Sequence, residues 1–286
     1  MATWGGVAGK RVLITGATGG IGLAAAIELA RRGAQLTLVA RSKARADAAV
    51  RQIQAAAGGA DVDVVTADLA SQASIRNLAI DAQARYPSIQ VLINNAGAIY
   101  RRRQLSPDGI ELTWAVNHLA PFLLTTLLLP RLTAGAPARI VTTSSDAHQG
   151  ARIPFDDLNA ERSWGGMGFT RYGETKLANI LFTVELARRL AGTGVTANCF
   201  HPGFVATGFN RNNGFLMRIG MAISRPFARS ASKGAQTLVW LVDSDAAGDT
   251  SGGYFVDEHL VIPSVAAQDR DAARRLWQVS EAQVQV

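Results

Sequence analysis

Short apolar runs alternate along this chain with longer stretches in which apolar residues recur at helical spacing. Runs that are apolar at nearly every position are typical of strands buried on both faces of a sheet. The runs predict seven strands: Arg11–Thr15, Gln35–Val39, Asp63–Thr66, Val91–Asn94, Arg139–Thr143, Val195–Phe200 and Tyr254–Val256. The longer stretches predict six helices, near Ile21–Arg32, Ala44–Ala57, Ser71–Arg85, Gly109–Leu132, Tyr172–Leu190 and Ser232–Val242.

This alternation predicts an α/β fold with a single doubly wound parallel sheet of the Rossmann type and helices on both faces. No repeat, low-complexity block or linker divides the chain, so we expect one domain over residues 1–286. Two regions interrupt the alternation, Gly150–Thr170 and Gly203–Arg229, and each follows a predicted strand. Ligands of open parallel sheets bind beyond the carboxyl ends of the strands. We therefore expect both regions to cover a binding site, with 203–229 as a substrate lid.

The composition is that of an ordinary globular protein, with 48% hydrophobic and 18% charged residues among 286. The single cysteine, Cys199, excludes an internal disulfide and is expected as a small buried residue of a strand. The first ten residues lack a secretory signal, and the longest apolar stretch, Leu119–Leu129, is too short to span a membrane. The sequence thus predicts a cytoplasmic protein without a membrane span.

The formal charge of +7 does not by itself indicate nucleic-acid binding, because the basic residues are dispersed. Arg101–Arg103 is the only run of three, and no aromatic residues interleave with it. His118, His148 and His201 have no paired spacing typical of a metal site, and His201 precedes a Pro-Gly turn, where a structural role is expected. We expect neither a nucleic-acid partner nor a metal.

A glycine-rich turn joins the first predicted strand to the first predicted helix. Exposed N–H groups and the helix dipole favour an anion at such a junction, and glycines let a pyrophosphate approach the backbone. The alternative is a turn that is glycine-rich only for tight packing. The residues of this candidate phosphate site are Gly16, Thr18, Gly19, Gly20, Ile21 and Gly22.

The second predicted strand ends without the acidic residue that usually holds the ribose hydroxyls of NAD. Ala40 and Arg41 stand there instead, and a guanidinium suits a 2′-phosphate by charge and by geometry, although Arg41 could also be an ordinary exposed arginine. Asp68 follows the third strand and could accept from an adenine amino group or cap the next helix. Asn94–Gly97 ends the fourth strand, where the asparagines could tie strand ends together or form a plain turn.

Tyr172 and Lys176 are four residues apart in a helical pattern, so both project from one face. An ammonium beside a phenol favours the phenolate and is expected to lower the pKa of Tyr172 towards neutrality, where acid–base catalysis is most effective. A surface pair is the alternative for such a spacing. Ser144 and Ser145 end the fifth strand, where a hydroxyl can bind a substrate carbonyl.

Taken in order, these elements resemble the classical short-chain dehydrogenase/reductase family from Gly9 to about Val261. The retinol-dehydrogenase-like branch is most similar, through the stretches around Ser144–His148, Glu174–Asn179 and Leu186–Leu190 and the tail Ala273–Trp277. The positions that carry the resemblance are Thr15, Gly16, Gly20, Gly22, Asp68, Leu69, Asn94, Asn95, Ala96, Gly97, Asn117, Ser145, Tyr172, Lys176, Pro202, Gly203, Val205 and Thr207.

The resemblance implies roles for these residues. Tyr172 would be the proton donor in reduction and the base in oxidation, and Lys176 would hold the nicotinamide ribose. Ser145 would orient the carbonyl and Asn117 would support a proton-relay water near Lys176. A further set would bind the cofactor together with the glycine turn and Arg41: Asp68, Leu69, Asn95, Ala96, Gly97, Tyr172, Lys176, Pro202, Gly203, Val205 and Thr207.

We therefore expect an NADP(H)-dependent oxidoreductase that interconverts a hydrophobic ketone or aldehyde and its alcohol. The hydrophobic substrate is indicated by apolar residues of the expected lid: Phe204, Phe209, Phe215, Leu216, Met217 and Met221. An ordinary packed segment, or a face of a homo-oligomer, is the alternative for them. Two other hypotheses for the whole protein are a non-catalytic NADP-binding sensor or scaffold and a light-dependent pigment reductase on the same fold.

Overall fold

The computed structural model describes residues 4–162, 164–205 and 229–285. Its centre is one sheet of eight strands in the order β3-β2-β1-β4-β5-β6-β7-β8, in which β1 to β7 are parallel and β8 is antiparallel to β7. The strands are β1 (Arg11–Thr15), β2 (Gln35–Ala40), β3 (Val62–Thr66), β4 (Val91–Asn94), β5 (Ala138–Thr143), β6 (Val195–His201), β7 (Tyr254–Val256) and β8 (His259–Leu260).

Helices cover both faces of this sheet, as a doubly wound fold requires. Within the described residues they are α1 (Gly20–Arg31), α2 (Lys43–Ala56), α3 (Gln72–Arg85), α4 (Leu112–Trp114), α5 (Ala120–Ala134), α6 (Phe169–Arg189), α7 (Ala231–Asp243) and α8 (Arg270–Val284). One apolar core lies between the sheet and α1, α2 and α7, and a second lies between the sheet and α3, α5, α6 and α8. The predicted Rossmann-type fold is confirmed.

The seven predicted strands are all present, with ends that shift by one residue at most. The eighth strand and helix α8 were not among the predicted elements. β8 is only two residues long and both are exposed, so it is too short to give a strand pattern in the sequence. α8 has a polar outer face, and its apolar stripe is visible only when Ala273, Leu276 and Trp277 are placed on one side.

The single helix predicted at Gly109–Leu132 is wrong in one respect, because a π-helical turn at Ala115–Leu119 separates α4 from α5. Such a turn inserts one residue into the helical repeat and often marks a functional position. The continuous helical stretch Leu112–Ala134 is long and apolar enough to cross a membrane by composition. However, 78% of its most apolar window is buried inside the fold, as expected of a core helix.

Most of the expected lid, residues 206–228, lies outside the described residues, as do the candidate cofactor residue Thr207 and the apolar side chains listed for the lid beyond Phe204. The lid and the single domain over 1–286 therefore stay predictions. The two residues that flank this segment, Val205 and Arg229, form a parallel bridge. Arg229 also donates to the carboxylate of Asp257, so the flanks of the segment are tied to the turn after β7.

Candidate active site

The candidate site residues gather at one edge of the sheet because parallel strands end on the same side. β1 ends at Thr15, β4 at Asn94, β5 at Thr143 and β6 at His201, and the loops that follow carry the glycine turn and the serines. Tyr172 and Lys176 reach the same edge from α6. The parallel sheet thus brings together residues that lie up to about 190 positions apart in the sequence.

The glycine loop after β1 is shaped by close backbone approach. Gly16 has a φ of +72°, and a Cβ there would stand 2.8 Å from the Cα of Ala96. A Cβ on Gly22 would lie 2.4 Å from the carbonyl oxygen of Gly16. Gly19, in contrast, faces open space, with no atom within 4 Å of an added Cβ. Gly16 and Gly22 are therefore needed for packing, whereas Gly19 leaves the approach to α1 clear.

This loop fits the phosphates of a dinucleotide. Helix α1 has no side-chain cap and no acidic residue in its first turn. Its first N–H groups therefore have no side-chain acceptor, and they present a partial positive charge to any anion above Gly19. The residues that would hold a pyrophosphate are Thr18 to Ile21, all half-buried.

Asn95 supports the glycine loop from β4. Its side-chain amide donates to the carbonyl oxygens of Thr15 at 3.1 Å and Gly16 at 3.2 Å. The Thr15 hydroxyl accepts in return from the N–H groups of Asn95 and Ala96, both at 3.1 Å. The side chain of Asn95 is thus engaged with the glycine loop, while Ala96 and Gly97 supply the small residues beside it.

The ends of β2 and β3 carry the candidate adenosine side of the site. Arg41 is exposed directly after β2, and neither of the two residues at this strand end, Ala40 and Arg41, is acidic. Asp68 accepts from the N–H of Ala70 at 3.0 Å, while the cap of α3 is Ser71 rather than Asp68. Leu69 is half-buried beside it. The helix-cap alternative for Asp68 is therefore not what the fold uses.

Asn117 lies in the π-helical turn and is fully buried. Its amide donates to the carbonyl oxygen of Ala98 at 2.8 Å and to the Thr175 hydroxyl at 3.1 Å, and its oxygen accepts from the N–H of Ala98 at 2.7 Å. The side chain therefore joins the loop after β4 to α6 one residue before Lys176. No direct hydrogen bond between this side chain and Lys176 is described.

The two serines after β5 have different surroundings. Ser144 is buried, and its hydroxyl donates to the backbone carbonyl of Lys176 at 2.8 Å. Ser145 is half-buried, its oxygen accepts from the N–H of Ala147 at 3.2 Å, and its hydroxyl bonds the phenol of Tyr172. Of the two, Ser145 is the one placed to meet a substrate beside Tyr172.

Lys176 is almost fully buried, with its ammonium 5.3 Å from the centre of the Tyr172 ring. The ammonium donates to the carbonyl oxygen of Thr143 at 2.9 Å. Burial disfavours the charged form and lowers the pKa of Lys176 to about 8. Burial raises the pKa of Tyr172 to about 12, against a smaller lowering by the hydrogen bond from Ser145.

The expectation that Lys176 brings the pKa of Tyr172 down towards neutrality is therefore wrong for this structure. Loss of solvent around the buried phenol has the larger effect on its pKa, and the hydrogen bond from Ser145 has the smaller, opposite effect. At neutral pH Tyr172 carries its proton. The pair is thus arranged as a protonated phenol next to a buried ammonium, which is the state needed to donate a proton.

The loop after β6 meets the glycine loop through α7. A Cβ on Gly234 of α7 would lie 2.6 Å from the Val205 side chain, 3.3 Å from that of Ile21 and 3.4 Å from the carbonyl oxygen of Pro202. Gly234 therefore lets the candidate cofactor residues of this loop approach α1. Gly203 has a φ of +78° and lies against the Arg229 side chain, which a Cβ would touch at 2.7 Å.

Comparison with known proteins decides the family. The family model described as short chain dehydrogenase matches residues 10–156. Retinol dehydrogenase 14 of Mus musculus is 43% identical over 291 residues, covering 96% of this chain and 86% of the relative. This chain belongs to the short-chain dehydrogenase family.

Two further short-chain dehydrogenases are informative. The candidate daunorubicin C-13 ketoreductase DnrU of Streptomyces sp. (strain C5) is 42% identical over 282 residues, covering 98% of this chain and 94% of the relative. A short chain dehydrogenase from Burkholderia cenocepacia J2315, solved in complex with NADP, has a TM-score of 0.68 and 27% identity and covers 92% of this chain and 99% of its own. The chain is an oxidoreductase on these grounds, in the retinol-dehydrogenase-like branch.

Several residues that shape this dehydrogenase site gave no local signal in the sequence. Asn179 donates to the carbonyl oxygen of Thr143 at 3.2 Å, so one backbone oxygen holds both this amide and the ammonium of Lys176. Arg171, directly before Tyr172, is buried and bonds the buried carboxylate of Glu111 at 2.9 Å. Such partners are distant in sequence, and only a search for buried polar residues on the inner face of α6 could have suggested them.

Proposed function

We propose that this dehydrogenase uses NADP(H) to interconvert a hydrophobic ketone or aldehyde and its alcohol, with Tyr172 as the proton donor and acceptor. The observation that carries the proposal is the cluster of Ser145, Tyr172 and Lys176 beside a glycine loop suited to a dinucleotide. NADPH, when bound, supplies the hydride. The chain's own residues must bind the carbonyl, orient it and deliver a proton to its oxygen.

Each residue of the cluster has a distinct task in reduction. The Ser145 hydroxyl, which donates to the Tyr172 phenol in this structure, can turn to donate to a carbonyl oxygen that binds beside the phenol. Tyr172 holds its proton firmly at neutral pH and passes it to the oxygen as negative charge develops there. The phenolate left behind lies within reach of the Lys176 ammonium, which stabilises it.

NADP(H) is proposed over NAD(H) because of the residues that follow β2. Arg41 is exposed at the position where an acid would repel a 2′-phosphate, and its guanidinium offers a planar pair of donors. The Burkholderia cenocepacia relative with the same fold binds NADP, which supports this choice. The amino end of α1 offers no discrimination, since both cofactors carry the same pyrophosphate.

A hydrophobic substrate is proposed from the side chains that border the site. Phe169 at the start of α6 is 49% exposed and Phe204 after β6 is 55% exposed, which is unusual for side chains of this size. The names of two relatives, a retinol dehydrogenase and a candidate daunorubicin C-13 ketoreductase, refer to organic alcohol and ketone substrates, which supports a substrate of this class. A series of ketones of growing chain length should show rising kcat/KM, by up to about 0.8 kcal/mol for each buried methylene.

The central test replaces Tyr172 by Phe, which keeps the ring and removes the transferable proton. We expect NADPH-dependent ketone reduction to fall by about 10²–10⁴-fold, the usual effect of a general acid. The Kd for NADPH should stay within a few-fold of wild type. Tyr86→Phe is the matched control, because that phenol donates to Asp63 on β3, the strand at one edge of the sheet.

The outcomes separate the alternatives. Near-wild-type turnover of Tyr172→Phe would contradict the role of Tyr172. A wild-type protein that binds NADPH but reduces no carbonyl in a broad panel would indicate a sensor or scaffold. Reduction that requires illumination and a bound tetrapyrrole would indicate a pigment reductase. A cytoplasmic location and a homo-oligomer are further proposals, which cell fractionation and light scattering would test.

A further inference from the structure

We propose that His148 is a positioning residue that holds Ser145 in its catalytic orientation and couples it to the chain segment after β8. The proposal rests on the function proposed above, because it assigns to His148 an effect that only turnover can reveal. His148 itself does not touch Tyr172 or Lys176 in the described hydrogen bonds, and it acts through the backbone of Ser145.

The tautomer of His148 is fixed by its two partners. The ring is fully buried, with Nδ1 2.7 Å from the carbonyl oxygen of Ser145. That oxygen can only accept, so Nδ1 carries the hydrogen. Nε2 accepts from the backbone N–H of Ser264 at 3.2 Å and therefore carries none. Both nitrogens of the imidazole are thus used by backbone groups from two different parts of the chain.

Further contacts hold the short turn Asp146–His148 in place around this ring. The edge of His148 packs on the ring of Tyr254, with centroids 5.1 Å apart. The N–H of Asp146 donates to Nδ1 of His201 at 3.2 Å. On the other side the turn lies against α6, where a Cβ on Gly173 would be only 2.6 Å from the carbonyl oxygen of Ala147.

These contacts make the orientation of Ser145 depend on His148. Ser145 precedes the turn and accepts from its Ala147 N–H, and Gly173 follows Tyr172 in α6. The turn Asp146–His148 is held on one side by the contacts of the His148 ring and on the other side by α6. It therefore sets the distance between the Ser145 hydroxyl and the Tyr172 phenol. The carbonyl oxygen of Ser145 also accepts from the backbone N–H of His148, at 3.1 Å. Loss of the shorter bond from Nδ1 therefore leaves the carbonyl with the backbone bond alone, and the Ser145 hydroxyl is then held less firmly in its orientation.

The experiment compares two substitutions, each of which keeps a hydrogen-bonding group at one of the two nitrogen positions of the imidazole. In His148→Asn the side-chain amide takes the place of Nδ1 and can still donate to Ser145. In His148→Gln the amide takes the place of Nε2, so the contact with Ser264 is kept and that with Ser145 is lost. We expect kcat of His148→Gln to fall about 10- to 100-fold, as for a misplaced catalytic group, and that of His148→Asn to fall less than about 3-fold.

A double-mutant cycle with Ser145→Ala shows whether the effect passes through Ser145. When the Ser145 hydroxyl is absent, His148→Gln should lower kcat no further, because residues that act as a unit are not additive. The KM for the ketone and the Kd for NADPH should stay within about 3-fold in every variant. His259→Gln is the control, since His259 is exposed on β8.

The proposal is overturned if His148→Gln and Ser145→Ala reduce kcat independently, or if the Asn and Gln variants lose the same activity. It is also overturned if both His148 variants turn over like wild type. Failure of the proposed function has a different signature, namely a Tyr172→Phe variant as active as wild type or a wild-type protein without carbonyl reduction. Thermal unfolding of each variant separates loss of fold from loss of kcat.

Discussion

At the scale of single residues, the placement of Lys176 opposes the stability of the fold. Its side chain is almost fully buried, and the polar contact described for its ammonium is a hydrogen bond to a neutral carbonyl, that of Thr143. Removing a charge from water without an opposite charge destabilises the folded state, and the pKa of Lys176 is lowered to about 8 as a result. The proposed function requires this ammonium, which gives a reason for keeping a residue that destabilises the fold.

Replacing Lys176 by Met should therefore stabilise the cofactor-free protein while abolishing turnover. The lowered pKa of Lys176 corresponds to about 3 kcal/mol of unfavourable burial, which the substitution would relieve. Met cannot make the hydrogen bond to Thr143, and the loss of that bond offsets about 1 kcal/mol of this gain. The folded form releases its proton near pH 8 and the unfolded form only near its ordinary value of 10.5. Stability of wild type hence rises with pH between these values.

Urea unfolding of both proteins from pH 7 to pH 10 measures this difference. The advantage of Lys176→Met should be largest below pH 8, at about 1–3 kcal/mol, and should shrink as the pH rises. A variant that is less stable than wild type at pH 7, or an advantage that does not change with pH, would contradict the account of a buried ammonium.

Arg41 is the residue from which the cofactor preference is inferred. Wild type should bind NADPH more tightly than NADH, and Arg41→Ala should weaken NADPH binding by about ten- to a hundred-fold while leaving NADH binding unchanged. The control Arg31→Ala removes the same charge at the carboxyl end of α1, away from the end of β2. Titration of the nucleotide fluorescence measures all affinities, and equal binding of both cofactors by wild type would exclude the assignment.

At the scale of elements, α6 is positioned by a glycine contact rather than by its propensity. Gly173 lies inside the helix, where Ala would ordinarily be favoured by up to about 1 kcal/mol. A methyl group there would stand 2.6 Å from the carbonyl oxygen of Ala147, so α6 or the turn after Ser145 would have to move. The glycine therefore sets the approach of the helix that carries Tyr172.

We expect Gly173→Ala to lower kcat about 10- to 100-fold, because it displaces Tyr172 from Ser145 by a fraction of an ångström to an ångström. The Kd for NADPH should change less than about 3-fold, since the glycine loop and Arg41 are not in contact with Gly173. Steady-state kinetics and nucleotide titration give both values. A variant that is more stable than wild type and equally active would show that the close approach has no functional part.

At the scale of the whole molecule, the helix α8 completes the core behind α6. The ring of Trp277 is nearly buried, stacks on Phe182 of α6 at 5.9 Å and meets the edge of Phe122 of α5 at 4.9 Å. Ser280 of the same helix bonds the buried ring of His118 at 2.8 Å. Helix α8 is thus packed against α5, against α6 with Tyr172, and against the π-helical turn that contains Asn117.

Trp277→Ala should destabilise the protein by about 3–5 kcal/mol, the usual effect of removing a buried aromatic ring. The midpoint of thermal unfolding should fall by roughly 5–15 °C. Ile80→Ala is the control, because that side chain is 65% exposed and should shift the midpoint little. A Trp277 variant that unfolds like wild type would mean that α8 is not a cooperative part of the fold.

The sequence by itself determined where the apolar strands lie along the chain, where the glycine turn lies, and that Tyr172 and Lys176 share one face of a helix. These features are local, because burial on both faces forces a continuous apolar run and helical geometry places residues four apart on one face. The family resemblance then selected Ser145 over Ser144, and the two serines indeed have different partners in the structure.

The tertiary structure alone decided which atoms these residues meet. The raised pKa of Tyr172 results from burial, and burial is a property of the packed molecule rather than of any stretch of sequence. The π-helical turn at Asn117, the shared carbonyl of Thr143 and the imidazole of His148 between Ser145 and Ser264 all join segments far apart in the chain. Periodicity records which side of an element is buried, but long-range contacts are fixed only when the elements pack.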